Sequence, residues 1–218
     1  MFNLGTTIRW FFDILFGFIF EREKISAERL LGIHESSQGL RAYSKREVLP
    51  FIYCLPYSDQ YVRTSMWSYK FRNNKSLSKL FGNIVSQEIS KQKYDWDHTG
   101  FNLPILITVP SSKESNTNRG YDSNHEMAQF VSRMTDIPYF PHALSKKSGV
   151  SKQSRMKNRE DRLKNPQGAF TLRKPQVVTN KNIILLDDVL TTGATVREIV
   201  RILHLAGAQK VQVLVIAH

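Results

Sequence analysis

Cys54 is the sole cysteine in a chain of 218 residues. An internal disulfide is therefore excluded, and so is a zinc site built on paired cysteines. The sequence has no GxGxxG fingerprint and no GxxxxGK(S/T) loop, which argues against dinucleotide and P-loop nucleotide chemistry. Long hydrophobic runs are also missing. The most apolar stretch, residues 10–20, contains Asp13 and falls short of the roughly 20 residues a membrane-spanning helix needs. No secretory signal with a small-residue cleavage site is evident, so a soluble, cytoplasmic protein is expected. None of the six histidines stands at metal-ligand spacing from another; they read as surface or packing residues. Acidic residues are scarce, 19 Asp and Glu against 31 Lys and Arg, for a net charge of +12.

That charge is concentrated. Residues 144–174 carry ten Lys or Arg against Glu160 and Asp161, so +8 of the +12 lies in one segment. A localised basic block points to an anionic partner: pyrophosphate, nucleotide, nucleic acid or an acidic membrane surface. Hydrophobic content of 41% is that of an ordinary globular domain, and the length suffices for one α/β core.

The most informative stretch is 183–202, IILLDDVLTTGATVREIVRI. Ile183, Ile184, Leu185 and Leu186 read as a strand buried on both faces. Asp187 and Asp188 follow at the strand's C-terminal end, where open α/β sheets place ligands. After the small, hydroxylated run Thr191, Thr192, Gly193, Ala194 and Thr195, a helix begins with Ile199, Ile202, Leu203 and Ala206 on one face. Amides at a helix N-terminus lack intrahelical partners and favour a phosphate, and Gly193 lets backbone approach it closely. Ionised carboxylates accept hydrogen bonds but cannot donate them, so they repel phosphate and suit hydroxyls or a cation. Acids at one end and amides at the other fit a sugar phosphate. The alternative is a strand end closed by an Asx turn, with the second Asp or a Thr as helix N-cap.

DDVLTTGAT resembles the phosphoribosyl pyrophosphate loop of type I phosphoribosyltransferases, and the surrounding chain resembles their ComF branch. The resemblance implies phosphoribosyl pyrophosphate as ligand, with Mg²⁺ carried on it, and Asp187 and Asp188 on the ribose hydroxyls. Thr191, Thr192, Gly193, Ala194 and Thr195 would hold the 5′-phosphate. Ser111, Ser112 and Lys113 match the family's pyrophosphate loop. Arg119, Gly120 and Tyr121 match its Arg-Gly-Phe turn, which usually continues Asn-Gln where Asp122 and Ser123 stand here. Lys152, Gln153, Arg159 and Arg162 match the flexible loop and the basic turn after it, whose alternative reading is a solvated basic linker. The phrase 55–74, LPYSDQYVRTSMWSYKFRNN, resembles the ComF domain entrance, with Lys70 a candidate anion contact. The zinc-ribbon cysteines of many ComF-like proteins are missing, so no zinc is expected.

Coarse periodicity sets the rest. Residues 1–22 fit an amphipathic helix, which docks on the core, forms a dimer contact or lies on a membrane surface. Residues 23–50 read as polar and irregular, with HESSQGL a loop. Residues 48–55, holding Pro50 and Cys54, read as an edge strand, with Cys54 a buried packing residue. Ser58 or Asp59 can cap a helix over Val62, Met66 and Tyr69. Residues 75–93 read as a helix, 94–102 as a loop, 103–109 as a strand ended by Pro110, 123–134 as a helix and 211–217 as the last strand after Gly207. The expected fold is α/β: a mostly parallel sheet with helices on both faces, a small N-terminal hood in 1–55 and the phosphoribosyltransferase domain in 56–218. Because the sequence stops after that strand, any hood over an acceptor site is expected from residues 1–60.

The expected function is transfer of ribose phosphate to an acceptor with pyrophosphate release. A sensor of the same fold that binds without turnover is the alternative, favoured by the altered Asp122–Ser123 turn. The ComF resemblance also implies a link to DNA uptake, with single-stranded DNA or a competence-machinery protein as partner; a homodimer is a further expectation.

Overall fold

The computed structural model describes residues 27–37, 40–43, 50–72, 74–110, 122–147 and 168–218. The amphipathic segment expected in 1–22 lies outside them. The described elements run α1 (Ala27–Ser37), β1 (Leu40–Tyr43), β2 (Pro50–Leu55), α2 (Gln60–Phe71), α3 (Lys75–Thr99), β3 (Ile105–Thr108), α4 (Ser123–Thr135), β4 (Leu144–Lys146), β5 (Phe170–Leu172), α5 (Pro175–Val178), β6 (Asn182–Val189), α6 (Ala194–Leu205) and β7 (Lys210–Ala217).

Five strands form one sheet in the order β1-β2-β7-β6-β3. β2, β7, β6 and β3 are mutually parallel, and β1 joins antiparallel to β2. β4 and β5 make a separate antiparallel ribbon. Side chains alternate across the sheet, so each face builds its own core. Ile184 and Leu186 of β6, Leu106 of β3 and Leu214 of β7 pack with α1, α2, α3 and α4. Ile183 and Leu185, Ile105 and Ile107, and Val213 and Val215 pack with α5, α6 and the ribbon. Helices thus cover both faces, and the continuous apolar run in β6 is the consequence of burial on both sides.

The helix starts follow local chemistry. The Asp59 carboxylate accepts from the amides of Tyr61 at 2.7 Å and Val62 at 3.1 Å, which opens α2. Asn74 caps Leu77 and Asp122 caps His125 in the same manner. Asp122, which departs from the family turn, is therefore used as a helix cap.

Four expectations are corrected. β2 is no edge strand: it lies between β1 and β7, and Pro50 is tolerated as its first residue, where the missing N–H costs least. The segment read as irregular contains α1 and β1. Only Leu30 and His34 of α1 are buried, too thin a stripe to show as periodicity. The serines read as loop belong to its last turn, where Ser36 and Ser37 hydroxyls donate to the Ile33 carbonyl. α3 continues through the expected loop to Thr99, with Trp96 turned inward, and stops at Gly100 in the left-handed conformation (φ 63°). Leu103, expected to start a strand, is exposed with φ 48°, and the strand begins at Ile105.

Candidate functional site

β6 is buried from Asn182 to Leu186 and opens at Asp187, Asp188 and Val189. Pleating sends Asp188 to the same face as Leu186, the side of α2, α3 and α4, and Asp187 to the side of α6. Both carboxylates curl toward the strand's C-terminal edge. Asp187 Oδ1 accepts from the Asp188 amide at 2.9 Å, and Asp188 Oδ1 accepts from the Val189 amide at 2.6 Å. The base of the loop is pinned by the neighbouring strand: the Leu190 amide donates to Ala217 O at 3.2 Å, and the His218 ring nitrogen lies 3.1 Å from Leu190 O.

Thr191 and Thr192 are exposed, and Gly193 follows at φ 73°, a left-handed conformation that glycine adopts without strain. Gly193 stands at the N-cap of α6, and no side chain caps the helix. The expected alternative, an Asp or Thr cap, is not what the chain adopts. The first amides of α6 have neither intrahelical acceptors nor a side-chain cap, and the helix dipole adds partial positive charge there. Three elements thus bring the acid pair, the small-residue turn and the helix N-terminus together at one end of the sheet.

The electrostatics of the acids differ from a plain ionised pair. Asp187 is pushed up from the usual carboxylate range to about 8, first by burial and then by the charge of Asp188. The Asp188 amide and Lys70 pull it partly back. Asp187 therefore holds a proton more tightly than an ordinary carboxylate. Lys70, from the last turn of α2, places Nζ 3.0 Å from Asp188 Oδ1; both side chains are half-buried. The residue expected as an anion contact is thus held on a carboxylate beside the turn that opens α6.

A second group of contacts was not legible in the sequence. The Tyr69 hydroxyl, next to Lys70, donates to Asn124 Oδ1 at 3.0 Å inside the core. In the same turn of α4, His125 Nδ1 lies 3.1 Å from the Tyr139 hydroxyl, which lies 3.3 Å from Thr108 Oγ1 at the end of β3. Burial pushes the Tyr139 phenol up to about 12, so it stays protonated. Across the sheet, the buried Glu198 of α6 accepts from the Gly168 amide at 2.8 Å and from Arg201 Nε at 2.8 Å and Nη2 at 3.0 Å. Arg201 foremost, with the Gly168 amide, holds the Glu198 carboxyl below its usual range. The only advance sign was the i, i+3 spacing of Glu198 and Arg201.

Ser111, Ser112, Lys113 and Arg119, and Lys152, Gln153, Arg159 and Arg162, lie outside the described residues. Among the described residues no cluster of His, Cys, Asp and Glu suits a metal ion, and no helix is long and apolar enough to cross a membrane.

Residues 126–218 match the phosphoribosyl transferase domain family. The matched range takes in α4, the β4–β5 ribbon, β6 with its acid pair, α6 and β7. The chain is 29% identical over 145 residues to competence protein ComFC of Streptococcus pneumoniae, covering 66% of this chain and 57% of that protein. It is 33% identical over 145 residues to the DNA utilization protein YhgH of Escherichia coli O157:H7, covering 66% and 61%. It is 31% identical over 147 residues to competence protein F of Haemophilus influenzae, covering 66% and 62%. Over this range the chain is similar to ComF-like proteins, and it spans less than two thirds of the length of these curated relatives. Among solved structures it is similar to the glutamine phosphoribosylpyrophosphate amidotransferase from B. subtilis complexed with ADP and GMP, with 22% identity and a TM-score of 0.46 over 69% of this chain and 30% of that one. It is also similar to the L. donovani hypoxanthine-guanine phosphoribosyl transferase, with 12% identity and a TM-score of 0.40 over 65% and 71%.

Proposed function

We propose that this protein binds phosphoribosyl pyrophosphate at the turn after β6 and transfers the ribose phosphate to an acceptor with release of pyrophosphate. The observation that carries this reading is the uncapped N-terminus of α6, entered through left-handed Gly193, directly behind the Asp187–Asp188 pair. The amides of that turn would hold the 5′-phosphate, with Thr191, Thr192 and Thr195 adding hydroxyl donors. Asp188 would accept from a ribose hydroxyl. Asp187, protonated in the empty site, would give up its proton or donate it as a hydrogen bond when the sugar docks. In the reaction the bond from ribose C1 to the pyrophosphate oxygen breaks and a bond from C1 to the acceptor forms, with positive charge developing on the sugar between the two. Holding the ribose by both ends keeps C1 aligned between leaving group and acceptor.

Two carboxylates offer the hard oxygen donors magnesium prefers, but one is paired with Lys70 and the other is pushed toward neutral. That donor set suits a magnesium ion held mainly by ligand oxygens and water. When bound, magnesium would offset charge on the departing pyrophosphate.

Calorimetric titration with phosphoribosyl pyrophosphate, with and without Mg²⁺, tests the ligand. Saturable, magnesium-dependent binding is expected, and a folded protein that gives no heat contradicts it. Pyrophosphate release across a panel of nucleobases and amines then tests turnover. Binding without release from any acceptor would favour the sensor.

A second reading, nucleic-acid handling, is favoured by relatives named for DNA utilization and competence and by the basic block in 144–174. Lys146 and Lys147, at the exit of β4, and Arg173 and Lys174, after β5, are its described members, and all four are exposed.

A further inference from the structure

α2 ends beside the acid pair with two consecutive residues that reach in different directions. Lys70 reaches β6, where Nζ lies 3.0 Å from Asp188 Oδ1. Tyr69 is fully buried, and its hydroxyl reaches the first turn of α4, 3.0 Å from Asn124 Oδ1. Asn124 is itself buried and stands two residues after Asp122, where the described chain resumes following 111–121. One turn of helix therefore bridges the acid pair and the return of the segment that leaves β3. Thr108 at the end of β3 is tied to the same α4 turn through Tyr139 and His125.

Two features make this more than packing. Asp188 Oδ1 accepts from both the Val189 amide and Lys70, so two donors fix the orientation of the carboxylate. Among the charged groups that bear on Lys70 are Asp188, in contact, and Asp187 beside it on the same strand; the ammonium opposes the mutual repulsion of the two acids. A surface ion pair would do little, but this one is half-buried and anchored by a core hydrogen bond one residue away.

We propose that Lys70 is a positioning residue for the sugar site: anchored through Tyr69 and Asn124, it fixes the Asp188 carboxylate for a ribose hydroxyl and links the acid pair to the start of α4. This role rests on the sugar-phosphate reading of the turn. It is distinct from the anion contact that the sequence implies, because Lys70 works through Asp188 rather than by touching the ligand's phosphates.

The test is calorimetric affinity for phosphoribosyl pyrophosphate with Mg²⁺ from pH 6 to 9, for the wild type, Lys70→Met, Lys70→Arg and Tyr69→Phe. Lys70→Met is expected to weaken binding about tenfold near neutral pH, the scale of one charge-assisted hydrogen bond. Its affinity profile is expected to move to higher pH, because Asp187 keeps its proton longer without the ammonium. Lys70→Arg restores the profile, and Tyr69→Phe weakens binding at every pH without moving it. A uniform loss in Lys70→Met with an unmoved profile overturns the proposal in favour of a direct phosphate contact, and wild-type affinity throughout overturns it outright. If the wild type does not bind the sugar, the functional reading fails and the positioning role is read in the empty protein. There, ¹³C carboxyl titration of Asp187 is expected to shift upward in Lys70→Met, and an unchanged titration overturns the role.

Discussion

Asp187 stores a proton that the unfolded chain would release, and the sign of its effect on stability follows. Its folded pKa, about 8, lies above the ordinary 3.8, so the folded state binds the proton more tightly. The stabilisation is fully present below the ordinary value and is lost as pH rises through about 8. Asp187→Asn cannot titrate. Urea unfolding from pH 5 to 9 should therefore show a wild-type stability that falls with pH and a flatter profile in the variant; parallel profiles would reject the assigned environment. Changing both acids, Asp187→Asn with Asp188→Asn, should abolish sugar binding while circular dichroism and thermal unfolding stay close to wild type. Cys54 makes a contrasting case. It is fully buried, and burial first, then the Glu88 charge, pushes its thiol up and away from thiolate chemistry. A thiol reagent should label it only on unfolding, at a rate set by denaturant.

Elements show where sequence was enough and where it was not. The β6 turn and α6 were legible because apolar strand, acid pair, small residues and helix periodicity coincide in one stretch. α2, α4 and β7 were legible for the same kind of reason: the caps Asp59 and Asp122 and the terminator Gly207 are local signals. α1 was not, because its inward face is Leu30 and a histidine whose Nδ1 bonds Cys54 O at 3.0 Å. That contact spans 20 residues and leaves no periodic trace. The interior place of β2 could not be read either, since it depends on β1, four residues long, adding outside it. Tyr69 with Asn124 is a 55-residue contact between side chains that would each pass as ordinary. Tyr69→Phe should cost about 1–3 kcal/mol in chemical denaturation, because it strands a buried acceptor. Helix packing adds another test: a Cβ at Gly82 of α3 would lie 2.7 Å from Phe130 Cδ1 and 3.2 Å from Phe130 Cβ of α4. Gly82→Ala should therefore destabilise the domain by about 1–3 kcal/mol despite better helix propensity, and a rise in melting temperature would contradict that close approach.

For the whole molecule, charge and site lie on related parts of the fold. The basic block spans the connection between β4 and β5, and that ribbon packs on the face that carries α6. Glu198 ties Gly168, where the described chain resumes within the block, to α6, the helix that follows the acid pair. If nucleic acid is a partner, affinity for single-stranded DNA should fall steeply between low and physiological salt, and Lys/Arg→Ala changes across 146–164 should reduce that slope. A flat salt response would remove the reading. The sugar site makes a different demand, that one turn hold a ribose by its hydroxyls and its 5′-phosphate together. The most direct measurement is a crystal structure of the protein soaked with phosphoribosyl pyrophosphate and Mg²⁺. The account predicts the 5′-phosphate on the amides that open α6 and the ribose hydroxyls at Asp187 and Asp188; full ligand occupancy elsewhere with that turn empty would contradict it.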